Sequence, residues 1–443
     1  MTTTQSLVGI PMELSQNLNI HVSNDIEHQS DSDSNLSKIF KDPIHGTIRV
    51  TGLCVKIIDT PQFQRLRYLK QLGGGSFVYP GATHTRFEHS IGTYYLAGKF
   101  ARILEEKHQG RFQDGDIECI EIAALCHDLG HGPFSHVFDN RFIPRVKPGS
   151  TWKHEEASVQ MLEYLLKENE DVKKAFEEFD KDGSRLELIK DIILGGKQTK
   201  YVKEALVEEK RKKRFLYEIV ANDKTGIDVD KWDYFARDGH MMGIKGTFDQ
   251  DRYMELARII DVDEECPRIC ARNNEASNLY DMFHTRMMLH RRACQHKVTI
   301  GVELMIVDVL QTLDDIVQIP GEGGQRRKIS ECIDDIEAYS KLNDSILQLV
   351  EDEITLGTKG QDAKETTEKL KTARTILKRL RSRDLYKCVG KHILSAKEDV
   401  CMMSFLNIEQ AKEEILEEGK KEILEEGKKA FKGEHFEIVV GTV

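Results

Sequence analysis

The eleven residues CHDLGHGPFSH, positions 126–136, bring three histidines and an aspartate to a point where a helix should end. The preceding stretch IECIEIAALC has the apolar spacing of a helix, and the two glycines and the proline that follow terminate it. His127 and Asp128 therefore lie in its last turn, where both side chains can converge on a cation at a helix end open to a cavity. An imidazole nitrogen beside a carboxylate oxygen suits Fe, Mn or Zn better than it suits a Cys-rich structural zinc site.

A His-Asp pair alone is a weak indication, because chance and helix capping explain most such dipeptides. Two further stretches strengthen it, HTRFEHS at residues 84–90 and TGIDVDKWDYFARDGH at residues 225–240. Together they supply two imidazoles and two carboxylates, from His89, His127, Asp128 and Asp230. Such a set leaves coordination positions for water and a phosphate oxygen. The pattern therefore predicts a catalytic metal centre that acts on phosphate.

A metalloprotease is the weakest interpretation of the same stretch. His127 and His131 have the i, i+4 spacing of the zincin motif H-E-x-x-H. Asp128 stands where that motif has its glutamate general base, so we set this interpretation aside.

Composition limits the class of protein. The chain has 443 residues, which suggests two lobes or one large domain with additions, and its net charge of -11 argues against bulk attraction to nucleic acid. Nine cysteines without a C-x-x-C framework are typical of reduced intracellular thiols. No basic leader precedes an apolar core at the start, and no run approaches the roughly 18 apolar residues of a membrane span. We expect a nuclear or cytoplasmic protein.

The elements that must position these residues are mainly helices. Stretches such as IGTYYLAGKFARILEEK repeat apolar residues every three or four positions, whereas only TIRV and FEIVV suggest short strands. The predicted organisation is a flexible leader at 1–36, a core at 37–300, a helical continuation at 301–400 and a charged tail at 401–443. The tail carries the octapeptide EILEEGKK twice. A charged surface insertion is expected at 196–214, where KRKKR is either a solvated helix face or a nuclear or phosphate-binding signal.

Seven strings together resemble a known family: DPIHG, IIDTPQFQRLRYLKQLGGG, RFEHS, CHDLGHGPFSH, FLYEIV, GIDVDKWDYFARD and NLYDMFHTR. From about residue 38 to about residue 391 the chain resembles the HD-domain phosphohydrolases, and among them the deoxynucleoside triphosphate triphosphohydrolases that carry a SAM and an HD domain. The resemblance implies a helical HD-domain core with a few short strands. We expect a form without the SAM domain and with only part of the C-terminal lobe, since the leader is short and the repeat is foreign to the family.

The implied activity converts a deoxynucleoside triphosphate and water into a deoxynucleoside and tripolyphosphate, with a divalent metal (Fe, Zn, Mn or Mg). Water attacks the α-phosphorus while the 5′ oxygen leaves and takes a proton. By resemblance, the metal ligands are His89, His127, Asp128 and Asp230. The second set of catalytic residues is His131, His136, Asp139 and His154. His154 is the expected catalytic histidine and His136 a candidate acid toward the 5′ oxygen, and the division of acid and base roles among them stays open.

Substrate contacts follow from the same resemblance. Arg86, Lys231 and Arg286 match phosphate-binding positions, with His290 nearby. The substrate pocket also includes Gln71, Leu72, His131, His136, Tyr234, Asp238 and Gln295. Cys294 stands where the family has a tyrosine packed against the deoxyribose, so we expect weaker discrimination against ribonucleotides.

The family is activated by GTP or dGTP at one allosteric site and by a deoxynucleotide at a second, which assembles a tetramer. The guanine site matches Lys38, Ile39, Asp59, Gln64 and Arg67. The second site matches Val78, Arg252, Arg272, Asn274, Asn278, Arg383 and Lys387. Asn274 replaces a lysine, and losing that cation predicts weaker deoxynucleotide activation. The expected partners are nucleotides and further copies of this chain, from dimer to tetramer, and the resemblance extends to antiviral defence and innate immunity.

A second class of function stays open. An incomplete C-terminal lobe that hinders tetramer assembly would leave a noncatalytic, nucleotide-responsive regulator that binds single-stranded nucleic acid. Tetramer formation with guanine nucleotide but without turnover would favour that alternative.

Overall fold

The structure, a computed structural model, describes residues 36–196, 212–263, 266–351 and 363–388. The predicted leader up to residue 35, most of the charged segment at 196–214, the strand FEIVV and the tail at 401–443 lie outside the described residues. The proposed boundaries between the core and its continuation remain predictions.

The fold is mainly α, as the apolar spacing predicted. Sixteen helices are described: α1 (Leu53–Ile58), α2 (Pro61–Gln64), α3 (Arg86–Lys107), α4 (Asp116–Cys126), α5 (Ile143–Val146), α6 (His154–Glu168), α7 (Glu170–Phe179), α8 (Ser184–Ile193), α9 (Arg214–Val220), α10 (Val229–Met242), α11 (Gln250–Leu256), α12 (Ala276–Leu289), α13 (Lys297–Leu313), α14 (Ile336–Tyr339), α15 (Ile346–Glu351) and α16 (Ala363–Arg381). Two π-helical turns, Phe138–Phe142 and His290–Cys294, interrupt the regular helices. Among the helices of the described residues, none combines the length and apolar character that crossing a bilayer requires.

In the ranges that the structure describes, the strands form three antiparallel pairs. They are β1 (Ser37–Asp42) with β2 (Gly46–Thr51), β3 (Arg258–Asp263) with β4 (Cys266–Cys270), and β5 (Ile319–Pro320) with β6 (Arg326–Arg327). The predicted strand TIRV lies within β2, where Ile48 and Val50 are fully buried. The β3–β4 pair was not predicted, because two adjacent isoleucines in β3 interrupt the alternation of apolar and polar residues in the sequence. In the structure Ile259 is buried and Ile260 is half exposed.

Three helices meet at the centre of the molecule. The long helix α3 packs against both α4 and α10, and its buried face includes Phe100 and Leu104. Helix α3 begins with a reciprocal cap in which the Thr85 amide donates to the Glu88 carboxylate at 2.8 Å. Helix α10 begins where the Asp228 carboxylate accepts the Lys231 amide at 3.1 Å. These caps fix where each helix starts, and with it the direction of the first-turn side chains.

Close contact between α3 and α10 depends on Gly92. A Cβ atom at this position would lie 1.9 Å from Asp233 Oδ1 and 2.4 Å from an Arg237 nitrogen. Since neither atom can move away from its buried partners cheaply, only glycine permits this approach.

Candidate active site

Four predicted metal ligands come together where α3, α4 and α10 meet. His89 lies in the first turn of α3 and Asp230 in the first turn of α10, while His127 and Asp128 follow the last residue of α4. His127 caps α4 with helical backbone angles and Asp128 lies in the turn that follows, so the helix ends at Cys126, at least two residues earlier than the sequence suggested. His89 Nε2 lies 3.1 Å from Asp230 Oδ1 and 3.4 Å from Asp128 Oδ2. His127 Nε2 lies 3.4 Å from Asp230 Oδ1 and 3.4 Å from Asp128 Oδ1.

The two imidazoles are oriented for a cation. His89 Nδ1 contacts Asp233 Oδ2 at 2.7 Å, and His127 Nδ1 contacts the Ala124 carbonyl oxygen at 2.7 Å. Each Nδ1 therefore carries the proton and each Nε2 lone pair faces the carboxylates, as metal-binding histidines require. His127 Nε2 is buried and makes no hydrogen bond within the described part of the chain. These donors fit a divalent metal.

The carboxylates are ionised, as metal ligands must be. Although burial opposes ionisation, the positive charge of Arg86 holds the pKa of Asp128 well below its usual range. Burial likewise opposes ionisation of Asp230, but the neighbouring imidazoles of His127 and His89 lower the pKa of that carboxyl.

Asp233 supports the metal centre from behind. It is fully buried and contacts His45 Nε2 at 2.7 Å as well as His89. The Arg237 guanidinium donates to both of its oxygens at 2.9 Å and to Asp42 Oδ2 at 2.8 Å. This network fixes the ring of His89, and the sequence analysis missed it. The one signal was the position of Asp233, three residues after Asp230 in the same string.

A second cluster contains His131, His136, Asp139 and His154, all of which the sequence analysis predicted. Asp139 Oδ2 contacts His154 Nδ1 at 2.6 Å and His136 Nδ1 at 3.3 Å. The His131 ring stacks on that of His154 with centroids 3.9 Å apart. Burial opposes ionisation of Asp139, but hydrogen bonds from His136 and His154 lower its pKa, so it remains a carboxylate.

The two clusters share a boundary. His131 Nε2 lies 3.3 Å from Asp128 Oδ1, so a predicted metal ligand and a predicted proton-transfer residue are neighbours. His136 is the most exposed of the second cluster, with 60% of its side chain accessible. The arrangement places an accessible imidazole, His136, at the rim and a buried one, His131, against the predicted metal ligands.

The candidate phosphate-binding residues differ in their burial and in their contacts with other side chains. Arg86 is buried, pairs with Asp128 and donates from Nε to Ser135 Oγ at 2.7 Å, so it supports the metal centre directly. Lys231 Nζ donates to Asp228 Oδ2 at 2.8 Å. Arg286 is exposed on α12. Burial lowers the pKa of His290, and the charge of Arg286 lowers it further. Burial raises the pKa of Tyr234, and the charge of Arg286 offsets part of that increase. Lys231 and Arg286 therefore face one region of positive potential.

A cavity beside the second cluster contains part of the predicted sugar pocket. Gln71, Leu72, His136 and Cys294 all line it, together with Gly73, Gly75, Tyr79, Phe134, Ser135, Val137, Met242, Ala293, Thr299 and Glu303. Asp238 lies on α10 and contacts His84 Nε2 at 2.7 Å. Burial raises the pKa of the Cys294 thiol, and the negative charge of Asp238 raises it further. Tyr234 lies on the same helix, with its ring centroid 6.5 Å from that of His89. Gln295 follows Cys294 at the end of the π-helical turn.

The predicted guanine-site residues form two contacts near the end of α1. Lys38 Nζ pairs with Asp59 at 2.5 Å, and Arg67 Nε donates to Gln64 Oε1 at 2.7 Å. Gln64 Nε2 in turn donates to the Ile58 carbonyl oxygen at 2.8 Å, which places the two pairs side by side. Ile39 is 61% exposed on β1.

Contacts divide the predicted deoxynucleotide-site residues into two groups. Arg252 Nε and Asn278 Nδ2 both donate to the buried Glu275, at 2.9 and 3.0 Å, and Arg272 and Asn274 lie in the adjoining turn. Arg383 donates to the Phe77 carbonyl oxygen next to Val78, and Lys387 follows four residues later.

No disulfide joins cysteines in the part of the chain that the structure describes.

Comparison with known proteins identifies the family. The HD domain model matches residues 86–238, which include all four predicted metal ligands. An HD domain-containing protein of Acanthamoeba polyphaga mimivirus is 34% identical over 369 residues, covering 79% of this chain and 73% of that protein. The chain belongs to the HD-domain family.

Other relatives of this HD-domain protein are named as enzymes. The deoxynucleoside triphosphate triphosphohydrolase SAMHD1 of Homo sapiens is 49% identical over 362 residues, which cover 80% of this chain and 55% of the human protein. The SAMHD1 homolog of Dictyostelium discoideum is 36% identical, covering 85% of this chain and 65% of that protein. The chain thus spans about 55% of the length of the human relative.

Proposed function

We propose that this HD-domain protein is a metal-dependent deoxynucleoside triphosphate triphosphohydrolase. The observation that carries the proposal is the contact between Asp128 and His131, because it joins a cation-binding set to a histidine–aspartate cluster beside a cavity. The names of relatives with 36–49% identity support the same substrate class.

His89, His127, Asp128 and Asp230 would hold the metal, whose identity among Fe, Zn, Mn and Mg stays open. When bound, a divalent metal neutralises phosphate charge and lowers the pKa of water that it binds. The remaining chemistry belongs to the side chains. Arg86 keeps Asp128 ionised and in place. Asp233 accepts the Nδ1 proton of His89 and so orients that imidazole with its Nε2 toward the cation site.

The second cluster supplies the proton for the leaving 5′ oxygen. One oxygen of Asp139 contacts both His136 and His154, so this carboxylate can stabilise a proton on either imidazole. His136 is the more accessible of the two and lines the cavity, which favours it as the donor to the departing oxygen. His154 is held with its Nδ1 toward Asp139, an arrangement that keeps its Nε2 available for the attacking water. The bond from water to the α-phosphorus forms as the bond from phosphorus to the 5′ oxygen breaks.

Substrate recognition divides between charge and shape. Lys231 and Arg286 are placed for the triphosphate, where fixed cations compensate its charge. Gln71, Leu72, Tyr234, Asp238 and Gln295 are the proposed sugar contacts, and Cys294 leaves more space there than an aromatic ring would.

The family resemblance also supplies the proposal for how nucleotides regulate the activity. GTP or dGTP would bind at the Lys38–Asp59 and Gln64–Arg67 pairs, and a deoxynucleotide at the second site. That second site draws on two groups of residues, which is consistent with assembly from more than one copy into dimers and tetramers. Location in the nucleus or cytoplasm and a part in antiviral defence are further predictions from the sequence, to be tested by imaging and infection assays.

Product analysis tests the proposal. Purified protein is incubated with dGTP and Mn²⁺ or Mg²⁺, and products are separated by chromatography, with Asp128→Asn as the control. Deoxyguanosine plus intact tripolyphosphate, absent with the variant, is the expected result. Binding of guanine nucleotide and assembly without turnover would replace the enzyme with the nucleotide-responsive regulator, which single-stranded nucleic-acid binding would then test.

A further inference from the structure

The loop between His131 and His136 has an unusual backbone. Phe134 and Ser135 adopt φ angles of 60° and 55°, in the left-handed region that non-glycine residues rarely occupy. Such a conformation persists only where surrounding contacts hold it. Because both residues also line the cavity, whatever holds them sets the shape of the site.

Asp344, far along the chain, makes the contact at the strained point. Its Oδ1 accepts the Phe134 amide at 2.6 Å, and its Oδ2 accepts the Lys70 amide at 3.0 Å. The Asp344 amide itself donates to the Tyr68 carbonyl oxygen at 3.1 Å. Ser135 Oγ closes the group by donating to the Lys70 carbonyl oxygen at 2.7 Å.

The two amides that Asp344 accepts belong to two segments that line the cavity. Lys70 leads directly into Gln71 and Leu72 in one segment, and Phe134 leads into His136 in the other. The Asp344 carboxylate, together with the Ser135 hydroxyl, therefore joins the segment of the proposed sugar contacts to the segment of the proposed proton donor.

Neighbouring contacts secure the earlier part of the loop, and Arg86 holds the Ser135 hydroxyl, but the Phe134 amide is held by Asp344. The buried Arg65 donates to the carbonyl oxygens of Leu342, Leu129 and His131, at 2.7, 3.1 and 2.7 Å. The Tyr339 hydroxyl donates to the Gly130 carbonyl oxygen at 2.7 Å. These bonds fix residues 129–131, whereas Asp344 reaches the left-handed turn itself.

We propose that Asp344 is a positioning residue, which holds the Gln71 segment and the His136 segment of the cavity at their working separation without touching the substrate. The inference rests on the proposed function of this cavity, since it assigns Asp344 a part in that reaction.

The charge of Asp344 makes the inference testable by pH. Burial raises its pKa to about 6, and the amides of Lys70 and Phe134 and the positive charges of Lys70 and Arg65 only partly offset this. Below about pH 6 the carboxyl gains a proton and loses acceptor capacity for one of the two amides. Because this folded-state pKa lies above the roughly 3.9 of an unfolded aspartate, stability falls as pH rises from about 4 to about 6. The ionised group thus costs stability at neutral pH, where it positions the loop.

The test compares Asp344→Asn with the matched variant Asp314→Asn. The Asp314 carboxylate also holds a separate segment, since it accepts the Ser330 amide at 2.7 Å and the Ser330 hydroxyl at 2.8 Å. Neither Asp314 nor Ser330 belongs to the proposed site. The measurements are kcat and KM for dGTP from pH 5 to 8, Tm, and hydrogen exchange of peptides that contain Lys70 and Phe134.

For Asp344→Asn we expect kcat/KM to fall about 10- to 100-fold, the usual effect of misplaced reacting groups, with little change in Tm. We also expect faster exchange at both peptides, and loss of the wild-type decline in kcat/KM below about pH 6. Asp314→Asn should change neither the exchange of these peptides nor kcat/KM.

Activity of Asp344→Asn within about twofold of wild type, or equal losses of activity and Tm in both variants, would overturn the proposal. If the wild-type chain hydrolyses no dGTP, the proposed function fails separately. Hydrogen exchange then decides on Asp344 alone, and unchanged exchange at Lys70 and Phe134 counts against its positioning role.

Discussion

Removing the carboxylate behind His89 should weaken metal binding without removing a ligand. In Asp233→Asn, an amide replaces a buried group that contacts His89 Nδ1 and His45 Nε2 at 2.7 Å and Arg237 at 2.9 Å. An asparagine NH₂ that faces His89 donates to Nδ1 and drives the imidazole proton onto Nε2, where the metal should bind. If the NH₂ faces Arg237 instead, the two donors repel each other.

Losing such a supporting contact typically weakens metal affinity about 10- to 100-fold, which corresponds to about 1.4–2.7 kcal/mol. The buried Arg237 retains Asp42 at 2.8 Å, so the variant should fold with a lower Tm. Affinity for Mn²⁺ is measured by competition with a chelator, after circular dichroism has shown that the variant is folded.

Asp42→Asn is the matched control, because Asp42 contacts Arg237 but not His89. Its carboxylate also accepts the amides of Ile44 and His45 at 2.8 Å, so its loss should lower Tm without a comparable loss of Mn²⁺ affinity. Equal affinity in Asp233→Asn and wild type, or equal losses in both variants, would refute the reasoning.

Three further changes have definite expected outcomes. Cys294→Tyr should raise the ratio of kcat/KM for dGTP to that for GTP as substrate about tenfold, since a ring fills the space beside the sugar; an unchanged ratio in a product assay would count against this. Asn274→Lys should lower the activator concentration for half-maximal rate by adding a cation at the second allosteric site, and identical titration curves would contradict it. Gly73→Ala should destabilise the fold by about 1–3 kcal/mol and reduce turnover, because Gly73 has φ 49° and a Cβ there would lie 2.7 Å from the Phe134 carbonyl oxygen; denaturant titration checks it, with no change as the opposing result.

The proposed ligands could be picked out from the sequence because their residue types carry the chemistry, and the structure brings them together. A His-Asp pair at a helix end, with one histidine upstream and one aspartate downstream, indicates a cation site before any contact is known. The helical fold was predictable for a similar reason, since apolar spacing directly reflects which face of a helix is buried.

The supporting residues could not be found in this way. His45 contacts Asp233 across 188 positions, Arg65 contacts Leu342 across 277, and Phe134 contacts Asp344 across 210. His45 and Arg65 lie within strings that resemble the family, but the residue types there indicate no role, and nothing in the local sequence around Asp344 distinguishes it from a surface polar residue. Their importance comes only from what the fold places beside them.

These long separations also affect how the protein is made. The helices that carry the proposed metal ligands are complete once the ribosome has released residues up to about 242, but the loop from His131 to His136 still lacks the anchors that Tyr339 and Asp344 supply. Tyr339 and Asp344 emerge about a hundred residues later, and closing contacts over more than 200 residues is entropically slow. The nascent chain can therefore acquire a cation site well before its catalytic loop is set, and full assembly of the site must wait for the segment that follows the HD domain.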